Sequence, residues 1–343
     1  MMYVDADIVR AALPIRRRLY RRRGSSATEL DENLEGVLMR GLAIFALLLA
    51  SASVTNAGES VTLRAESGKV AVSIDGKPFT DFVHEGYQKP FFIDVRAPQG
   101  TIVTRSLAEE AVTDHPHHKG IWLAIDEVNE LKHWAERNAI RTKSVEVAKA
   151  EGNPAFLKVE NEWLDADGKP LLLEKSTIRI FADRLISYDI EFAPAGDREV
   201  EFADTKEGLF AIRVRDELRE KGGTGVLRNA EGKSGESETW GRASAWMDYS
   251  GEVEGKTMGV ALFDHPENPR PGRYHARAYG LFTISPFGQS AYTNGELDPK
   301  PVHLKPNETL RLRYAAWIHE GDAEKAEVAK RHQQFVEDSK KTD

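Results

Sequence analysis

The chain contains no cysteine. Disulfides and thiolate metal sites are therefore excluded, and any metal must rest on His, Asp, Glu or backbone oxygen. A basic surplus is missing too. The formal net charge is −8, with both signs well mixed, which argues against a nucleic-acid partner. There is no long Pro/Ser/Gly linker, no low-complexity block and no evident repeat. Helical stretches do not alternate with strands, so a βαβ nucleotide-binding architecture is not expected. The Gly-rich "EKGGTG" lacks the Lys and Ser/Thr of a phosphate loop. "GKSGESETWG" lacks the strand–turn–helix setting of a nucleophile elbow.

Long apolar runs are scarce. The notable one lies in "LMRGLAIFALLLASASVTNAGES". Met39-Arg40 gives a positive start, Gly41 to Ala52 is apolar, and small residues follow to Ala57. That order is a secretory signal peptide over residues 39–57, with cleavage near Ala57-Gly58. The run is shorter than the ~20 residues of a comfortable membrane span, so no stable span is expected after cleavage. Residues 1–38 carry arginine clusters at Arg16–Arg18 and Arg21–Arg23 without an apolar face. They read as an extension upstream of a true start at Met39. A cytosolic tail before a signal anchor is the alternative. The expected product is an acidic periplasmic or secreted protein, residues 58–343.

What remains is dominated by strand signals. "FLKVENEWLDADGKPLLLEKSTIRIF" places Leu157, Val159, Asn161 and Trp163 on one face, turns at Asp167-Gly168 and returns. "LISYDIEFAP" adds a third alternating strand. Asp75-Gly76 marks another hairpin turn. Period-2 alternation with polar partners implies antiparallel sheets with one wetter face. The expectation is all-β: one large antiparallel β-sandwich. One C-terminal α-helix, at about 322–338, is capped by Asp322.

Three stretches could carry chemistry. In "DHPHHKG", Pro116 restricts His115 to an extended shape, so His115 and His117 share a face and His118 opposes them. These imidazoles suit acid–base work near neutral pH. Two histidines at this spacing can also begin a metal site, with a third ligand from elsewhere. A divalent metal on His115 and His117 is thus the alternative to a cofactor-free site. In "FADTKEGLFAIRV", Asp204, Lys206 and Glu207 precede a strand with Arg213, and a carboxylate beside a lysine is placed for general-base work. In "FDHPENPRPGRYHARAYG", His265 ends a strand, and His275 and Arg277 share a face of the next. His319, in "WIHEGD", closes the last strand. Trp122, Trp134, Trp240, Trp246 and Trp317 are core candidates by composition, with one or two able to stack on sugar rings.

These motifs carry a resemblance. "DHPHHKGIW", "DTKEGLFAIRV", "WMDYSG", "ALFDHPENPR", "YHARAYGLFTISPFG" and "LRYAAWIHEGD" resemble, in the same order, the PmoA-like family, from about Val61 to Phe335. That family is bacterial, mostly exported and uncharacterised. Its label names a methane oxygenase, but the membrane subunit of that name is a helix bundle, which this chain does not resemble. The family's β-rich pattern looks like the galactose-mutarotase supersandwich of sugar epimerases, polysaccharide lyases and glycosidases. The resemblance implies a carbohydrate-active protein, either a sugar- or glycoside-processing enzyme or a glycan-binding module. His115, His117, Asp204 and Glu207 are the expected catalytic residues. His118, Trp122, Lys206, Arg213, His265, His275, Arg277 and His319 are the expected contacts to a carbohydrate or related ligand.

Overall fold

Three antiparallel sheets form the framework of the described residues. The computed structural model describes residues 59–108, 112 and 114–340; the leader over 39–57 and the upstream extension lie outside them. The first sheet has nine strands. Their order is Arg273–Ala276, Leu281–Ser285, Phe210–Arg213, Ile121–Leu123, Phe91–Ile93, Lys77–Val83, Lys69–Ile74, Val61–Glu66 and Glu151–Gly152. The second has eight: Val226–Asn229, Trp246–Val253, Lys256–Asp264, Leu310–Glu320, Leu185–Pro194, Pro170–Ile180, Ala155–Leu164 and Ile140–Lys149. A small third sheet joins Val302–Leu304, Val200–Phe202, Glu127–Val128 and Leu131–Lys132.

Local chemistry explains the hairpins. Asp75 and Gly76 both take positive φ, 50° and 73°, which matches the primed turn that a two-residue hairpin favours. The three long strands from Ala155 to Pro194 pair as a meander. Leu157, Val159, Asn161 and Trp163 are all buried, as their alternation requires.

The two large sheets pack face to face through aromatic side chains. Tyr188 meets Phe92 at 6.3 Å and Phe210 at 5.2 Å, Phe210 stacks on Tyr314, and Tyr249 meets Phe282 at 5.7 Å. Burying each such ring contributes roughly 1.5–3 kcal/mol, and a well-placed ring pair adds about 0.5–1.5 kcal/mol. The interior also holds the Glu174 carboxyl. It accepts hydrogen bonds from Trp163 Nε1 (2.9 Å), Asn161 Nδ2 (3.0 Å) and Ser176 Oγ (2.8 Å). Burial pushes its pKa up.

The C-terminal helix spans Val328–Ser339. Its approach is a turn rather than helix. Asp322 Oδ1 accepts from the N–H groups of Glu324 and Lys325, and Glu327 sits at φ 56°, so regular α geometry begins only at Val328. Val328 and Phe335 pack with Leu185, Ala261, Phe263 and Ala315 of the eight-stranded sheet. Among the described residues, no helix is long and apolar enough to cross a membrane.

Candidate functional site

Register in the nine-stranded sheet lines up a row of side chains. Trp122 lies opposite Ala211, Ala211 opposite Thr283, and Thr283 opposite His275. The alternate residues, including Phe210 and Phe282, face the sandwich core, so this row lies on the sheet's other face. Pairing continues past the strand ends. The N–H groups of Ala124 and Asp126 donate to the carbonyls of Leu209 and Glu207, each at 3.0 Å. Asp126 therefore stands across from Glu207.

The His-rich loop borders this row. Asp114 receives Arg213 Nη2 at 2.9 Å and Arg105 Nη1 at 2.7 Å. Burial works against its charge, but Arg213, His115 and Arg105 hold the carboxyl below the usual carboxylate range. Arg105 also donates to the carbonyls of Asp114, His115 and His118. Converging three carbonyls on one guanidinium bends the chain. His118 N donates to His115 O at 2.9 Å, closing a turn, and His115 adopts φ 38°. The expected extended geometry is therefore not found. His115 does not share a face with His117 in strand fashion; it lies parallel to His118 at 4.7 Å and 5°. His118 in turn stacks on Trp122 at 5.5 Å. Both His118 and Trp122 are fully buried, so they support the loop from behind rather than meet a ligand.

His117 is half-buried. Burial, with Lys89 nearby, lowers its pKa to about 4, and His118 is pushed far below the usual range for the same first reason. Both rings are neutral at pH 7. Lys89 Nζ is wholly buried and donates to His117 O (2.7 Å) and Glu136. The glycine that ends the motif is obligatory. Gly120 has φ 54°, and a Cβ there would lie 1.7 Å from Phe92 O, a backbone atom that cannot yield.

Tyr279 joins this loop to the other two stretches. Its half-buried ring lies parallel to His115 at 5.1 Å and under the Arg213 guanidinium at 4.8 Å. Burial raises its pKa, and the charges of Arg213, Arg277, Asp114 and Glu207 all act on it. Glu207 pairs with Lys206 Nζ and also acts on Tyr292 and Asp126. Asp126 is raised, first by burial, with Lys132 opposing and Glu207 adding. His275 is buried, and its Nε2 accepts from Arg277 Nε at 2.8 Å. Burial, then the charges of Arg277 and Lys206, lower its pKa to about 3. The charge of His115 also reaches it. Arg277 Nη1 binds Glu236 at 2.9 Å, and the guanidinium lies over Trp240 at 5.6 Å.

His115, Arg213, Arg277 and Glu207 thus act on Tyr279, with His117 against His115, Lys206 on Glu207 and His275 on Arg277. Asp204 is nearby but occupied: its carboxylate accepts from the N–H groups of Ser290, Ala291 and Lys300. It ties backbone together. His265 and His319 do not join. His265 is buried beside the C-terminal helix, with Nε2 at 2.7 Å from Ser339 Oγ. His319 pairs with the buried Asp248 at 2.8 Å. Both sit on the eight-stranded sheet. Tyr279, Asp126 and Glu236 were not among the expected residues, and Trp240 was expected only as one of the tryptophans that could pack or stack on a sugar. Of the first three, only Tyr279 had a readable signal, two positions beyond Arg277 in the His275/Arg277 alternation.

Among the described residues, no three His, Asp or Glu side chains converge to hold a metal ion; the His115/His117 pair finds no third ligand. A cavity of about 570 Å³ forms a trough on the eight-stranded sheet beside His265, Arg313 and Lys175. Its walls are a checkerboard of opposite charges, as on a solvated sheet face, and it contains none of the stacked rings.

A family described as "Family of unknown function (DUF6807)" matches residues 69–333. The chain belongs to this DUF6807 family. No curated protein matches it. Among solved structures it is similar to a galactose 1-epimerase from Lactobacillus acidophilus NCFM, at 10% identity, 76% of this chain, 98% of that one and TM-score 0.39. A GH36 alpha-galactosidase from Geobacillus stearothermophilus gives 10%, 77%, 41% and 0.37. A heparan sulfate lyase from Pedobacter heparinus gives 7%, 76%, 37% and 0.37. The chain spans only 39–41% of the length of the beta-arabinopyranosidase and two alpha-galactosidases it matches. The likeness to these carbohydrate-active enzymes is distant.

Proposed function

We propose that this DUF6807 protein, with its PmoA-like motifs, is an exported sugar- or glycoside-processing enzyme whose site centres on Glu207. The observation that carries this is one juxtaposition. A half-buried carboxylate paired with Lys206 acts on Tyr279, Tyr292 and Asp126, and Tyr279 in turn stacks on an exposed imidazole, His115.

Proton transfer at a sugar oxygen needs a base and an acid in reach of one substrate. Glu207 is the base and His115 the acid. Neutral His117 acts as a hydrogen-bond partner, buried His275 holds Arg277 in place, and Arg277 and Lys206 hold hydroxyls. Trp240, half-buried, offers apolar surface to ring C–H groups. Asp204 positions the Glu207 corner rather than reacting.

Glu207→Gln keeps the shape and removes the base. Turnover of glycoside substrates should fall about 100-fold or more, while glycan retention on an array persists. Undiminished turnover would remove Glu207 from the chemistry. Tight glycan binding by the wild-type protein with no product would favour the binding-module reading. Export rests on the leader, and N-terminal sequencing of protein recovered outside the cytoplasm should start near Gly58. A start upstream of Met39 would overturn it.

A further inference from the structure

We infer that the ligand of the Glu207 site is an uncharged glycan rather than one bearing carboxylate or sulfate groups. This rests on the carbohydrate reading above and concerns the class of sugar.

Anionic sugars are recognised by cations with free donors and no nearby countercharge. The site has none in that state. Arg105 and Arg213 are 3% and 1% exposed at their side chains, and both hold Asp114, at 2.7 and 2.9 Å. They face into the loop and cannot meet a ligand outside it. Among the described residues, the other cations near the site each stand beside a carboxylate: Lys132 pairs with Asp126 and Glu127, and His115, protonated when it serves as the acid, lies 3.4 Å from Asp114; the same holds for Lys206 and Arg277. Lys206 is paired with Glu207. Arg277 is paired with Glu236 at 2.9 Å, and the second Glu236 oxygen accepts from Ala278 N at 2.7 Å. An incoming carboxylate would have to displace one of these partners and would then lie against the other carboxylates. Like-charge juxtaposition of this kind is a strong filter. The net charge of −8 on the chain adds repulsion at longer range.

A neutral polyol meets the opposite situation. Each ion pair sets a fixed donor beside a fixed acceptor. Adjacent hydroxyls of a sugar can accept from the cation and donate to the carboxylate without breaking the pair. Arg277 uses Nε on His275 and Nη1 on Glu236, which leaves Nη2 for a ligand oxygen.

The test is equilibrium binding of the wild-type protein to matched oligosaccharides, neutral against uronate-bearing or sulfated. Neutral ligands should bind at least about tenfold more tightly at low salt. Glu236→Gln should narrow or reverse that preference, because it strips Arg277 of its countercharge. Tighter binding of the anionic series by the wild-type protein would overturn the inference and leave the carbohydrate reading intact. Binding of no glycan in either series would overturn the carbohydrate reading and this inference with it. The wild-type comparison stands whether or not the variant folds.

Discussion

Arg105→Ala is expected to destabilise the protein by about 3–5 kcal/mol, the range for breaking a buried charged pair from one side. The side chain is 3% exposed and makes four hydrogen bonds: to Asp114 Oδ1 and to the carbonyls of Asp114, His115 and His118. Alanine leaves three carbonyls without that donor. It also leaves Arg213 alone to hold Asp114. Because those carbonyls define the turn that gives His115 its φ of 38°, the stack on Tyr279 should loosen as well. Arg105→Lys keeps the charge, but a single ammonium cannot span acceptors spread along the loop. Urea unfolding of wild type and both variants would measure this, with His115 ring signals followed by NMR. A loss under about 1 kcal/mol for the alanine variant would show that the loop is held some other way.

Acidification from pH 6.5 to 4 should remove much of the stability. Burial lowers the pKa of His117 and His133 to about 4 and of His275 to about 3, from 6.5. In this window the unfolded chain binds protons at these sites and the folded chain does not. Stability therefore rises with pH and is lost as pH falls. The buried His133 and His275 contribute on the order of 3–5 kcal/mol each, and half-exposed His117 less, because solvent screens it. Asp264 opposes them. Burial raises its pKa to about 6 from 3.8, so the folded state holds its proton longer, and it adds stability as pH falls toward 3.8, by roughly 3 kcal/mol. His118, held far below the usual range by burial, acts with these histidines, while Glu174 and Asp126, raised by burial, act with Asp264; the net loss is on the order of several kcal/mol, a large part of the roughly 5–15 kcal/mol of a typical domain. Urea midpoints from pH 7 to 4.5 would test this. A flat profile would mean that the histidines gain protons without unfolding.

The sheets were legible because alternation records which face a residue takes. Leu157 to Trp163 and the Asp75-Gly76 turn could be read directly. Alternation does not record which sheet a strand joins. His265 and His319 end strands much as the site residues do, yet their strands belong to the eight-stranded sheet. Residue type was also readable, so the His loop, Glu207 and His275/Arg277 stood out. Asp126 could not be found this way, because only register across distant strands places it opposite Glu207. Asp204 shows the converse. An acid before a strand looks reactive until the backbone N–H groups far along the chain that occupy it are seen. His115 went wrong because the proline rule describes local sterics, and a buried guanidinium pulling on three carbonyls overrode it.

The Asp204 carboxylate reaches two separated points, Ser290-Ala291 and Lys300. Both ends of the intervening loop are thereby clipped to a residue three positions before Glu207. The loop is a handle on a fixed bracket: beyond buried Tyr292, its exposed part from 294 can vary while its attachment stays put. Residues 294–299, exposed between the two clips, are where new ligand preferences can be grafted without disturbing Glu207. Any such graft has to keep Asp204 and the three N–H groups that meet it.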